Sequence, residues 1–141
     1  MLDAVNDGWK AATGVRFTRV TKEEVVAELV IAPAHRQALG VVHGGVHAGL
    51  VETVASVGAS LASLEHGRIA VGLENHTSFL HAVRDGKLRA VGRPVASGRQ
   101  THVWAVDVFD DKDRVVATGR VRLLVIEQGS RLGEGAVKLE P

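Results

Sequence analysis

Glu52 is the only formally charged side chain between Val46 and Leu64, in the run VHAGLVETVASVGASLASL. Nearly every other position there is small or aliphatic, with no polar face. A helix that is apolar all round is buried, and desolvation makes a carboxylate inside it costly. An acid kept in such a place is a candidate for chemistry, as a general base toward water or as a nucleophile. His43-Gly44-Gly45 stands directly before the run. Two glycines at a helix start present backbone N–H groups with little steric cover at the positive end of the helix dipole. Such a group stabilises negative charge on an oxygen, and one well-placed donor is worth roughly 10²–10³ in rate. The chain has no cysteine and no convincing Ser-His pair, which leaves Glu52 as the strong candidate.

Gly44 and Glu52 are eight residues apart, or about 12 Å along a helix. Side-chain lean toward the N-terminus shortens that only slightly. One reacting carbon therefore does not meet both groups from a single chain. The spacing predicts two antiparallel helices, with each site combining Gly44 of one protomer and Glu52 of the other.

The other histidines and aromatics carry less. His43 reads as a residue that fixes the loop by hydrogen bonding. His43 and His47 are four apart, but the Glu of an H-E-x-x-H motif and a third ligand are missing, so no metal is expected. His76, His81 and His102 fall among strand residues as edge or surface groups. Trp9, in an amphipathic segment over residues 2–12 with Leu2, Val5 and Ala12, reads as a core or lid aromatic.

The elements that must position these groups follow from periodicity. Val15–Thr21 and Glu24–Ile31 read as strands, ended by Pro33. Ala34–Val42 is a loop or a single helical turn. After the long helix, Glu65-His66-Gly67 is a stop signal. Four strands follow, over Ile69–Leu80, Lys87–Ser97, His102–Asp110 and Val115–Ile126. Trp104, Val106 and Val108 share one face. An antiparallel sheet wrapped around one helix, an α+β fold, is the arrangement that covers such a helix. The part left open predicts a dimer. One domain is expected over 1–141, with its core over about 15–127 and a mobile tail over 128–141.

The 141 residues carry a net charge of +1, which gives no reason to expect nucleic acid or an anionic membrane as partner. The N-terminus lacks a signal-peptide pattern. Glu52, His47 and the many small residues of the apolar run argue for a helix packed on protein rather than a membrane span. A cytoplasmic location is expected.

The element order, with Gln37 six residues before His43-Gly44-Gly45, Glu52 nine after the His and Ser56 four further on, resembles the hotdog-fold acyl-CoA thioesterases. The likeness is to the phenylacetate-pathway type and to the Arthrobacter-type 4-hydroxybenzoyl-CoA thioesterases. Asn75-His76-Thr77-Ser78-Phe79, with Val83 and Gly86 after it, strengthens the second comparison. The resemblance implies that Glu52 is nucleophile or general base and that the Gly44 N–H polarises the thioester carbonyl. It also implies that Gln37 orients thioester or water, that His43 supports the site, and that Ser56 positions a water or the acyl group. Gly45, Thr77, Ser78 and Phe79 would bind substrate, as would Arg99 and Gln100 of a pantetheine-binding turn. No cofactor is implied, and the partners are an acyl-CoA and further copies of the chain, as a dimer or a dimer of dimers. Arg84, Lys87 and Arg89 are further candidates for coenzyme A phosphates. The competing readings are a dehydratase or hydratase on the same fold, which needs a His and an acid over one substrate, and a non-catalytic acyl-CoA binder.

Overall fold

A computed structural model describes residues 8–136. After a short helix α1 (Gly8–Thr13) come strands β1 (Arg16–Val20) and β2 (Val25–Val30), a single 3-10 turn (Pro33–His35) and the long helix α2 (Gly44–Leu64). Strands β3 (Arg68–Phe79), β4 (Lys87–Ser97), β5 (Thr101–Phe109) and β6 (Val115–Glu127) follow, then a small hairpin of β7 (Arg131–Leu132) and β8 (Gly135–Ala136). The six main strands form one antiparallel sheet in the order β1-β2-β4-β5-β6-β3, curved around α2. This is the α+β hotdog architecture that the resemblance implies.

Strand alternation decides which side chains meet the helix. Val25, Ala27 and Leu29 of β2, Leu88 and Ala90 of β4, Trp104, Val106 and Val108 of β5, and Val121 and Leu123 of β6 are buried. They pack around Leu50, Val51, Val54, Ala55 and Ala59 of α2. Each valine or leucine side chain so buried contributes about 1.5–3 kcal/mol. The helix is kept thin where the sheet comes closest. A Cβ on Gly58 would fall inside the Trp104 indole, and one on Gly92 would meet Val54 at 2.5 Å.

The sheet leaves one stripe of α2 half-exposed, including Ala48, Gly49, Glu52, Thr53, Ser56, Val57 and Ser60. Beside that stripe lies β3, an edge strand of twelve residues that pairs with β6 along one side only. No helix among the described residues is long and apolar enough to cross a membrane.

Three expectations change. Residues 131–136, assigned to a mobile tail, form a hairpin, because Gly133 turns at φ 61° and lets Arg131 pair with Ala136. His102, expected at the surface, is buried, because it falls on the inward face of β5 with Trp104. Within the amphipathic segment over 2–12, the described part α1 buries no residue fully, and Trp9 is 41% exposed. Residues 1–7 and 137–141 lie outside the described residues.

Candidate active site

The loop before α2 is tied down before the helix starts. Buried His35 accepts the Ala32 N–H at Nδ1 (2.8 Å), and its Nε2 lies 2.8 Å from the Thr13 carbonyl oxygen. The His35 carbonyl in turn accepts the His43 N–H, and the Val42 N–H goes to Val83. His43 then caps the helix, with Nδ1 accepting the Gly45 N–H at 2.8 Å. The Val46 N–H is bonded to the His43 carbonyl. The Gly44 N–H has no acceptor among the described residues. Of the two glycines, the structure thus leaves the first as the free donor and commits the second.

Gly44 opens onto a cleft of about 310 Å³ lined by Gln37, Val41, Val42, His47, Phe79, Leu80, His81 and Ala82. The Phe79 ring lies across Gly44, since a Cβ there would be 2.7 Å from it. The Gln37 side-chain oxygen accepts the Leu39 N–H, which fixes the amide and leaves its nitrogen without a partner among the described residues. His47 is buried in this wall, tilted against Phe79 with ring centroids 6.0 Å apart, and its Nδ1 has no partner among the described residues. Burial pushes its pKa below the usual histidine range.

Glu52 does not line that cleft. It sits half-exposed on the open stripe of α2 rather than sequestered, because the sheet does not close over it. The Asn75 amide donates to Oε2 (3.0 Å) and the Ser56 hydroxyl to Oε1 (3.2 Å). Asn75 is itself positioned by the Ala48 carbonyl (3.1 Å) and by the Thr77 hydroxyl (2.7 Å). No cation pairs with Glu52 among the described residues. Gly72, at the β3 bulge, makes room for the carboxylate, because a Cβ there would collide with Oε1.

The structure therefore brings the predicted residues together in two groups. Gln37, Gly44 and Phe79 share the cleft, with His43 and Gly45 at its helix cap. Glu52, Ser56 and Thr77, with Asn75 added, form the other group. Ser78 joins neither, because strand alternation places it on the face opposite Thr77, across from Thr118. Arg99 and Gln100 lie in the β4–β5 turn by the C-terminal end of α2, about 30 Å along the helix from Gly44. There Arg99 borders clefts of about 540 and 580 Å³ with Arg68 and Gly98, and Gln100 lines the second of them. Arg68 is paired with Glu127 (2.7 Å) and Lys22 with Glu65 (3.1 Å), whereas Arg99 has no ion pair among the described residues. The other phosphate candidates are engaged. Arg84 donates to the Leu39 carbonyl, Lys87 pairs with Glu28, and Arg89 pairs with Asp113 over the Phe109 ring.

Sequence reasoning missed the parts played by Asn75, Gly72 and His47. Alternation in β3 was the available signal for Asn75, since positions 75, 77 and 79 share one face. No three side chains among the described residues are grouped to hold a metal.

Comparison with known proteins gives the family and agrees with the fold. The model of the thioesterase superfamily matches residues 39–117, and the chain belongs to that family. A Mycobacterium tuberculosis protein named "Putative esterase Rv1847" is 37% identical over 116 residues, covering 81% of this chain and 83% of that one. Its solved structure superposes with a TM-score of 0.83 at 35% identity, over 88% of this chain and 98% of that one. The thioesterase HI1161 of Haemophilus influenzae is 30% identical with a TM-score of 0.83, over 89% and 87% of the two chains. A mutant of the phenylacetic acid degradation protein PaaI from Thermus thermophilus shares the fold, with a TM-score of 0.76 at 18% identity over 84% and 98%.

Proposed function

We propose that this protein hydrolyses an acyl-CoA thioester, with an aromatic acyl group, to the free acid and coenzyme A. It does so as a homodimer with two shared sites, and the dimers pair into a tetramer. The observation that carries this reading is the division of labour along α2: one free N–H at Gly44, and one carboxylate without a cation at Glu52, too far apart to serve one carbon. The open stripe bearing Glu52 borders the unpaired edge of β3. A second copy pairing along that edge would lay its own α2 antiparallel across the stripe.

In the resulting site, the thioester carbonyl oxygen accepts from the Gly44 N–H of one protomer, with the Gln37 amide beside it. Glu52 of the other protomer reaches the carbonyl carbon. It either adds there, expelling the coenzyme A thiolate and leaving an anhydride that water cleaves, or takes a proton from a water that adds in its place. Asn75 and Ser56 orient the carboxylate. Arg99 supplies an unpaired positive charge for coenzyme A phosphates. Hydratase chemistry needs an imidazole free to exchange a proton over the substrate. His43 instead spends Nδ1 on the helix cap.

The test is thiol release from aryl-, phenylacetyl- and straight-chain acyl-CoAs by the wild type and Glu52→Gln. The variant should lose about 10²–10⁴ in kcat and unfold at the wild-type temperature. A folded Glu52→Gln protein that keeps the wild-type rate refutes the reading.

A further inference from the structure

We propose that Trp9 forms an aromatic wall for the acyl group beside Glu52. This inference rests on the hydrolase reading above for its substrate, but its evidence is separate. The Trp9 indole lies on Gly49 so closely that a Cβ at that position would collide with the ring. Even so, Trp9 remains 41% exposed. It is therefore fixed on the helix surface by a residue without a side chain, and its outer face borders the stripe, where it would meet an acyl group held between the stripe and the partner's α2.

Successive helix residues turn by about 100°, so Gly49 lies about 60° around α2 from Glu52 and less than one turn below it. Asn75 of β3 binds Glu52 from the other side. The carboxylate stands between a polar wall that holds its oxygens and an apolar wall of indole. An acyl group on the carbon that Glu52 attacks can lie along this stripe, where the indole offers a flat apolar surface. The element carrying the ring is anchored: Thr13 bonds back to the Trp9 carbonyl (2.7 Å), and the Thr13 carbonyl meets His35, which also holds the His43 backbone. The same tether serves the indole and the Gly44 loop. A flat apolar acyl group gains most from stacking on such a ring.

The chain has two tryptophans, and Trp104 is fully buried, so a ligand-dependent change in indole emission reports Trp9. The experiment titrates phenylacetyl-CoA, and coenzyme A alone, into Glu52→Gln protein with Trp9 intact or replaced by Phe. The expected result is a saturable emission change with phenylacetyl-CoA, little with coenzyme A, and none in Trp9→Phe. In the Glu52 background, Trp9→Ala should raise KM for that substrate about tenfold with kcat within about threefold, and Trp9→Phe should restore most of the KM. Thiol release accompanied by a silent Trp9 and an unchanged KM in Trp9→Ala overturns the wall and leaves the hydrolase reading standing. A saturable Trp9 response without thiol release from any acyl-CoA does the reverse.

Discussion

Asn75 shows how the Glu52 carboxylate is held with no countercharge among the described residues. Its amide donates to Glu52 and to the Ala48 carbonyl, and its own oxygen accepts from Thr77. A hydrogen bond to a charged group contributes about 1.5–3 kcal/mol, but Ser56 still holds the other oxygen. Replacing Asn75 by Ala should lower kcat about tenfold while KM moves less than about twofold. Steady-state thiol release measures both, and a loss confined to KM would refute a positioning role. That α2 carries one charge, Glu52, in an otherwise apolar run was legible in the sequence. Its half-exposed setting was not, because exposure depends on how far the sheet curls. The choice between Gly44 and Gly45 was equally hidden, since it turns on the direction taken by the His43 ring.

At the scale of elements, the helix start and all six main strands lay within about two residues of where periodicity put them. β2 and β5 were the clearest, because along Val25–Val30 and Thr101–Phe109 buried residues alternate with less buried ones. Bulges were not legible, and they matter: the one between Gly72 and Glu74 sits where β3 passes the Glu52 carboxylate. The thinness of α2 is an element-scale device that can be measured. Gly58→Ala adds helix propensity of up to about 1 kcal/mol, yet it drives a methyl into the buried Trp104 ring. Overpacking of that kind costs about 1–3 kcal/mol and should win. Urea denaturation should show a lower midpoint, and a raised midpoint would mean that Trp104 gives way.

At the scale of the whole molecule, division of the site between two copies is the claim most open to a direct test. Proline fits the first helical position and lacks an N–H, and the extended backbone of His43 (φ −64°, ψ 137°) is compatible with a following proline, whose Cβ displaces the exposed Phe79 ring. Gly44→Pro and Glu52→Gln homodimers should each be nearly inactive. Random 1:1 mixing should restore about a quarter of wild-type activity, because half of the dimers then hold one intact site of two. No recovery in verified heterodimers would place both groups in the same chain. The eight-residue spacing suggested this division from the sequence alone, whereas the β3 edge proposed for the contact emerged only with the sheet order. The free margin of β3 has one more consequence. An unmated chain offers twelve residues of backbone that any extended peptide could zip onto. In the proposed dimer, pairing with its own kind would protect the protein from aggregation by the same act that completes it, and solubility and turnover should then rise and fall together.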